Sequence, residues 1–97
     1  MNFENQIVLE GRQAEAISVS TSAASDFIAE PGVYGVWATV DTHIRNDVDQ
    51  TRAEAVTTSN GWKITANDAP TPVRITRPSR LAAIAGESGT LYYHRAL

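Results

Sequence analysis

The dominant hydrophobic period along this chain is two. Tyr34, Val36, Ala38, Val40, Thr42 and Ile44 share one parity, while Val33, Gly35, Trp37, Thr39, Asp41 and His43 share the other. That alternation predicts one long strand over 33–44 with a single apolar face. Pro31-Gly32 ahead of it carries the signature of a type II turn: proline presets φ at the second position and glycine accepts a positive φ at the third. Arg45 to Arg52 is polar and aperiodic, and reads as a loop. Asn60-Gly61 stands between Ala53–Thr58 and Trp62–Ala66 and predicts a type I′ hairpin, whose two central residues both need positive φ.

The rest of the chain repeats the pattern in shorter pieces. Ala16–Ser22 alternates serine with Ile17 and Val19, and Ala24–Ala29 suits a short strand or a single helical turn. After a turn at Asn67–Pro70, Val73 and Ile75 alternate with Arg74 and Thr76 in a half-buried strand that Pro78 ends. Leu81–Ala85 and Thr90–Ala96 are two further strands about a turn at Gly86–Gly89. Helical spacing has one foothold, Phe3 to Ala16, where Phe3, Ile7 and Leu9 face one way, but Gly11 interrupts it. An extended arm fits equally well. The expected fold is all-β: a small antiparallel β-sandwich or barrel of six to eight strands, one domain over 13–97, with an N-terminal arm over 1–12.

Composition narrows this further. A chain of 97 residues holds one domain, with a modest core. It has no cysteine, which removes disulfides, thiolate nucleophiles and thiolate metal sites together. The net charge of −3 argues against a general nucleic-acid binder. No window approaches a membrane-spanning length, so no membrane partner is expected. Met1–Leu9 is acidic and lacks the long apolar run of a secretory signal. The chain is expected to act where it is made, or to leave the cell by lysis or within a particle.

The charge is unevenly spread. Residues 1–49 hold eight acids and two bases, a balance of −6; residues 50–97 hold three acids and six bases, a balance of +3. Seven of the eight bases are arginine, whose planar fork suits bidentate pairing at interfaces. Arg74, Arg77 and Arg80 recur every three residues and suit a clamp on phosphate or on the acidic half of a neighbouring copy.

Three other groups could carry chemistry. Asp41 and His43, two apart on one strand face, could orient a general base or ligate a metal with His94, against the plainer reading of a solvated face. No nucleophile elbow accompanies them. Asp47-Val-Asp49 beside Asn46 resembles half of a calcium loop, but lacks the glycine and the closing glutamate of an EF-hand. Trp37, Trp62, Tyr34, Tyr92 and Tyr93 suit core or interface anchors, or a sugar-stacking platform. Trp37 lies on the polar parity of its strand and is the best interface or ligand candidate.

Two stretches, Pro31–Arg45 with its Val-Trp-Ala-Thr-Val-Asp run and Pro78–Tyr93 with Leu-Ala-Ala-Ile-Ala-Gly and Ser-Gly-Thr-Leu-Tyr-Tyr, resemble small single-domain β-sandwich virion proteins of tailed bacteriophages. Several of these decorate or cement the capsid. The likeness spans about residues 16–96 and leaves Met1–Gly11 unmatched. It implies a structural virion protein without catalysis or cofactor. Its partners would be the major capsid protein and further copies of itself, often as a homotrimer. The expected contacts are the arm residues Phe3, Ile7 and Leu9 together with Trp37, Arg74, Arg77 and Arg80. The competing expectation is a carbohydrate-binding sandwich or a tail or fibre component.

Overall fold

A computed structural model of the chain describes residues 14–47 and 56–96. Its strands are β1 Glu15–Val19, β2 Ala24–Ile28, β3 Gly32–Ala38, β4 Thr42–Asp47, β5 Trp62–Ile64, β6 Thr71–Ile75, β7 Ser79–Ala85 and β8 Gly89–Arg95. They form two four-stranded sheets, β1-β8-β3-β6 and β2-β7-β4-β5, and every neighbouring pair is antiparallel. The chain is therefore a sandwich. Its core lies between the sheets, where Ile17, Val19, Val36, Leu91 and Tyr93 meet Ile28, Ile44, Leu81 and Ala83. β7 contributes the small residues Ala83 and Ala85 beside Leu81 to this core.

The long strand expected over 33–44 is two strands in different sheets. β3 ends at Ala38 and β4 begins at Thr42, with a corner between them. Parity survives the crossing, because the inner face of each sheet looks at the other; Val36, Ala38, Thr42 and Ile44 are all buried. Alternation alone cannot distinguish a straight strand from one that changes sheets. The corner is held by hydrogen bonds: Thr90 N–H donates to Thr39 Oγ1 at 3.0 Å and Asn67 N–H to the Ala38 carbonyl at 2.8 Å. Thr42 Oγ1 donates back to the Val40 carbonyl at 2.8 Å, and Ser79 Oγ does the same to Arg77 at 3.0 Å where β7 begins. Two fully buried hydroxyls are thus satisfied at the starts of strands that follow a sheet crossing.

The Asn60-Gly61 hairpin does not form. Val56 and Thr57 carry no strand, and β5 pairs with β4 instead. Thr57–Gly61 is a helical turn in which Gly61 N–H donates to the Thr57 carbonyl at 3.1 Å. Asn60 Oδ1 accepts from Thr57 N–H at 2.8 Å, and Thr57 Oγ1 accepts from the Ser59 and Asn60 amides at 3.2 Å. These side-chain bonds outcompete the type I′ geometry. Asn67, at φ 56°, is the only non-glycine residue with positive φ among those described. Gly61 is needed for another reason: a Cβ there would lie 2.8 Å from that of His43.

The Ala24–Ala29 alternative resolves as strand β2. The arm over 1–12, with Phe3, Ile7 and Leu9, lies outside the described residues, as do Asp49 and Arg52.

Candidate interaction surfaces

Side chains of opposite parity to the core lie on the outer sides of the two sheets, where His94 and Ala82 are nonetheless buried. On the β1-β8-β3-β6 sheet, one row runs Ala16, Tyr92, Trp37 across three strands. Direct opposition brings the Trp37 and Tyr92 rings into a near-parallel pair, centroids 5.7 Å apart and planes 18° apart. In the next row His94 faces Gly35, which faces Pro72, and in the next Val33 faces Arg74. This exterior is aromatic and aliphatic, with Arg74 at its margin.

The exterior of the β2-β7-β4-β5 sheet is different. Phe27 faces Arg80, Ala82 faces Arg45, and Ile84 faces His43, which faces Lys63. The Arg80 guanidinium carbon lies 5.8 Å from the Phe27 ring centroid, a cation–π contact. Lys63 Nζ sits 3.7 Å from Asp41 Oδ2, while Ala66 N–H donates to Asp41 Oδ1 at 2.8 Å. The backbone bond first, and the lysine charge after it, hold the Asp41 carboxyl below its usual value.

Where β1 and β2 diverge, a cleft of about 520 Å³ opens between the sheets, lined by Glu15, Asp26, Tyr34, Tyr93 and Arg95 among others. Asp26 has core parity, between Ala24 and Ile28, so its carboxylate enters the sandwich. Tyr93 OH donates to Asp26 Oδ2, and Phe27 N–H donates to Oδ1 at 2.9 Å. Burial, then the Asp26 hydrogen bond and charge, raise the Tyr93 phenol well above its ordinary value. Tyr34 packs edge-on against Tyr93 at 6.1 Å and donates its hydroxyl to the Glu30 carbonyl. Arg95 bridges to Glu30 at 3.7 Å and donates to the Pro31 carbonyl at 3.2 Å. The arrangement favours the protonated phenol of Tyr93 and ties β8 to β2 across the two sheets beside the cleft. Its signal in the sequence is an acid, Asp26, at an apolar parity in Ala24–Ile28.

The sequence candidates are dispersed. Trp37 is half-buried on the first exterior, with Arg74 at the margin of the same face. Arg80 lies on the opposite exterior, and Arg77 is exposed in the turn between β6 and β7. The three arginines form no joint clamp, because the chain changes sheets between Arg74 and Arg80. His43 and His94 likewise occupy opposite sheets, so Asp41, His43 and His94 do not converge. Among the described residues no group of three or more His, Asp or Glu is placed to hold a metal, and no helix is long and apolar enough to cross a membrane. Trp62 is 79% exposed, at the lateral edge where β5 meets β6. Clefts of about 400 and 520 Å³ flank its ring, and Arg74 borders both.

No family model matches this sequence, and no curated protein or solved structure is detectably similar to it. The established likeness is to a small all-β, two-sheet sandwich.

Proposed function

We propose that this chain is a structural virion protein that attaches to the outer surface of a phage capsid through the exterior of its β1-β8-β3-β6 sheet and stabilises the shell. The observation that carries this reading is the Trp37–Tyr92 pair, a large ring surface on the outside of a sheet rather than in the core. Aromatic rings of this kind anchor protein interfaces, since they give much contact area at little entropic cost. The sequence resemblance supplies the partner, the major capsid protein, and the place, the virion. The acid-rich 1–49 and base-rich 50–97 regions provide complementary charge for contacts between neighbouring copies. Purified protein is expected to co-sediment with undecorated capsids and to raise the temperature at which they release their contents. Saturating protein that changes neither quantity removes the reading.

One observation favours a second reading. The exposed Trp62 ring between two clefts, with Arg45, Asn46, Asn60 and Arg74 around it, suits a sugar that stacks on the ring and hydrogen-bonds at its rim. Such a module would serve a tail or fibre. Tryptophan fluorescence that shifts on titration with host-surface glycans, and no longer does so in Trp62→Ala, supports it. A blank glycan titration at high protein concentration dismisses it.

A further inference from the structure

We propose that the free edge of β1 pairs with the same edge of a second copy, joining two β1-β8-β3-β6 sheets into one continuous antiparallel sheet about a twofold axis. The argument starts from which way each backbone group points. Ala96 N–H donates to the Val33 carbonyl and Thr39 N–H to the Thr90 carbonyl, so even-numbered residues of β8 turn their backbone toward β3. Leu91 and Tyr93 then turn toward β1, where Ile17 and Glu15 oppose them. That leaves the N–H and C=O of Ala16 and Ser18 facing outward.

Among the described strands the other three edges offer less. By the same alternation, Pro72 and Arg74 face outward on β6, and proline offers no donor. On β2 the Phe27 N–H is occupied by Asp26 Oδ1 at 2.9 Å. β5 has three residues and carries Lys63 beside the Trp62 ring. β1 has neither proline nor lysine, and its outward residues are alanine and serine. Proteins guard edges that must stay open to solvent, and among the described edges β1 is the one with two successive outward residues, Ala16 and Ser18, both exposed and each presenting N–H and C=O for pairing.

Pairing of this edge with the same edge of a second copy is isologous. Centred on Ile17, it sets Ala16 opposite the partner's Ser18 and Glu15 opposite the partner's Val19, which gives four backbone hydrogen bonds and keeps the two Glu15 carboxylates apart. The twofold axis is perpendicular to the sheet, so both Trp37–Tyr92 pairs emerge on one side. The contact is separate from the threefold clustering implied by the sequence resemblance and does not depend on the capsid reading.

The full-length chain is tested by light scattering across a concentration series. The wild type is expected as a dimer at high concentration. Ser18→Pro deletes an outward N–H, as Pro72 does on β6, and should halve the mass while leaving the melting transition in place. Ala16→Lys provides a second disruption should the proline variant fail to fold. Because the chain has no cysteine, an oxidised mixture of Ala16→Cys and Ser18→Cys should give more crosslinked dimer than either alone. A wild type that stays monomeric, with its Ala16 and Ser18 amides protected from hydrogen exchange by its own chain or not, overturns the proposal. So does a dimer that neither Ser18→Pro nor Ala16→Lys weakens. Capsid co-sedimentation of Ser18→Pro separates the readings: attachment without pairing leaves the capsid proposal standing, and pairing without attachment leaves this one.

Discussion

The two exteriors of this sandwich are built on the same alternation and present opposite chemistry. The β1-β8-β3-β6 sheet shows Trp37, Tyr92, Val33 and Pro72, whereas the β2-β7-β4-β5 sheet shows Arg45, Arg80 and Lys63 around Phe27 and Ile84. A surface of the first kind binds by desolvating apolar area and is nearly indifferent to salt. One of the second kind binds through charge and weakens as salt screens it. Overall composition averages the two, which is why a net charge of −3 says so little about either face.

Leu91, fully buried between the sheets, holds both exteriors in place without belonging to either. Leu91→Ala is expected to lower stability by about 2–5 kcal/mol in denaturant unfolding and to disable both faces together. Trp37→Ala should separate them. It should weaken capsid binding by about 2 kcal/mol or more, equally at low and high salt, with little change in melting. A binding loss that disappears at high salt would mean that the cationic face makes the contact.

Tyr93→Phe tests the bond between the two sheets and is expected to cost about 1–3 kcal/mol, since Asp26 loses its donor. It should also change the alkaline limb of stability. Tyr93 ionises near 10.0 when unfolded and at higher pH when folded, so its contribution is complete below pH 10.0 and is lost as pH rises above it. Urea midpoints across that range should fall more steeply for the wild type than for the variant. Asp41 contributes in the opposite sense: its stabilisation is present above its unfolded value of 3.8 and is lost as pH falls through the lower folded one. The smallest effect belongs to Arg80→Ala, about 0.5–1 kcal/mol of stability from its contact with Phe27, with capsid binding unchanged.

Much of the fold was legible in the alternation, and the misses share one cause. Every strand was seen at least in outline, because burial on one face writes period two directly into the chain. The break at Thr39–Asp41 was invisible, since a strand that changes sheets keeps its parity. Asn60-Gly61 misled because the Thr57 and Asn60 side chains satisfy the local backbone in a helical turn. The site was less legible still. The position of Trp37 on the outer side of β3 follows from its parity, but the spacing of Arg74 and Arg80 hides the sheet crossing that sends them to opposite faces. The exposure of Trp62 could not be read from pattern: it has the parity of core residue Ile64, yet stands beyond the lateral margin.

Six of the seven connections pass from one sheet to the other, and β8 lies between β1 and β3. Glu15 therefore finds its ladder partner in Tyr93. Among the described strands no hairpin joins two neighbours of that sheet as a local nucleus, and loop-closure entropy must be met before its inner contacts form. Folding is expected to be slow for a domain of this size. On the ribosome, β3 can pair with β6, but β1 must wait without its ladder partner until β8 has emerged to be inserted between β1 and β3.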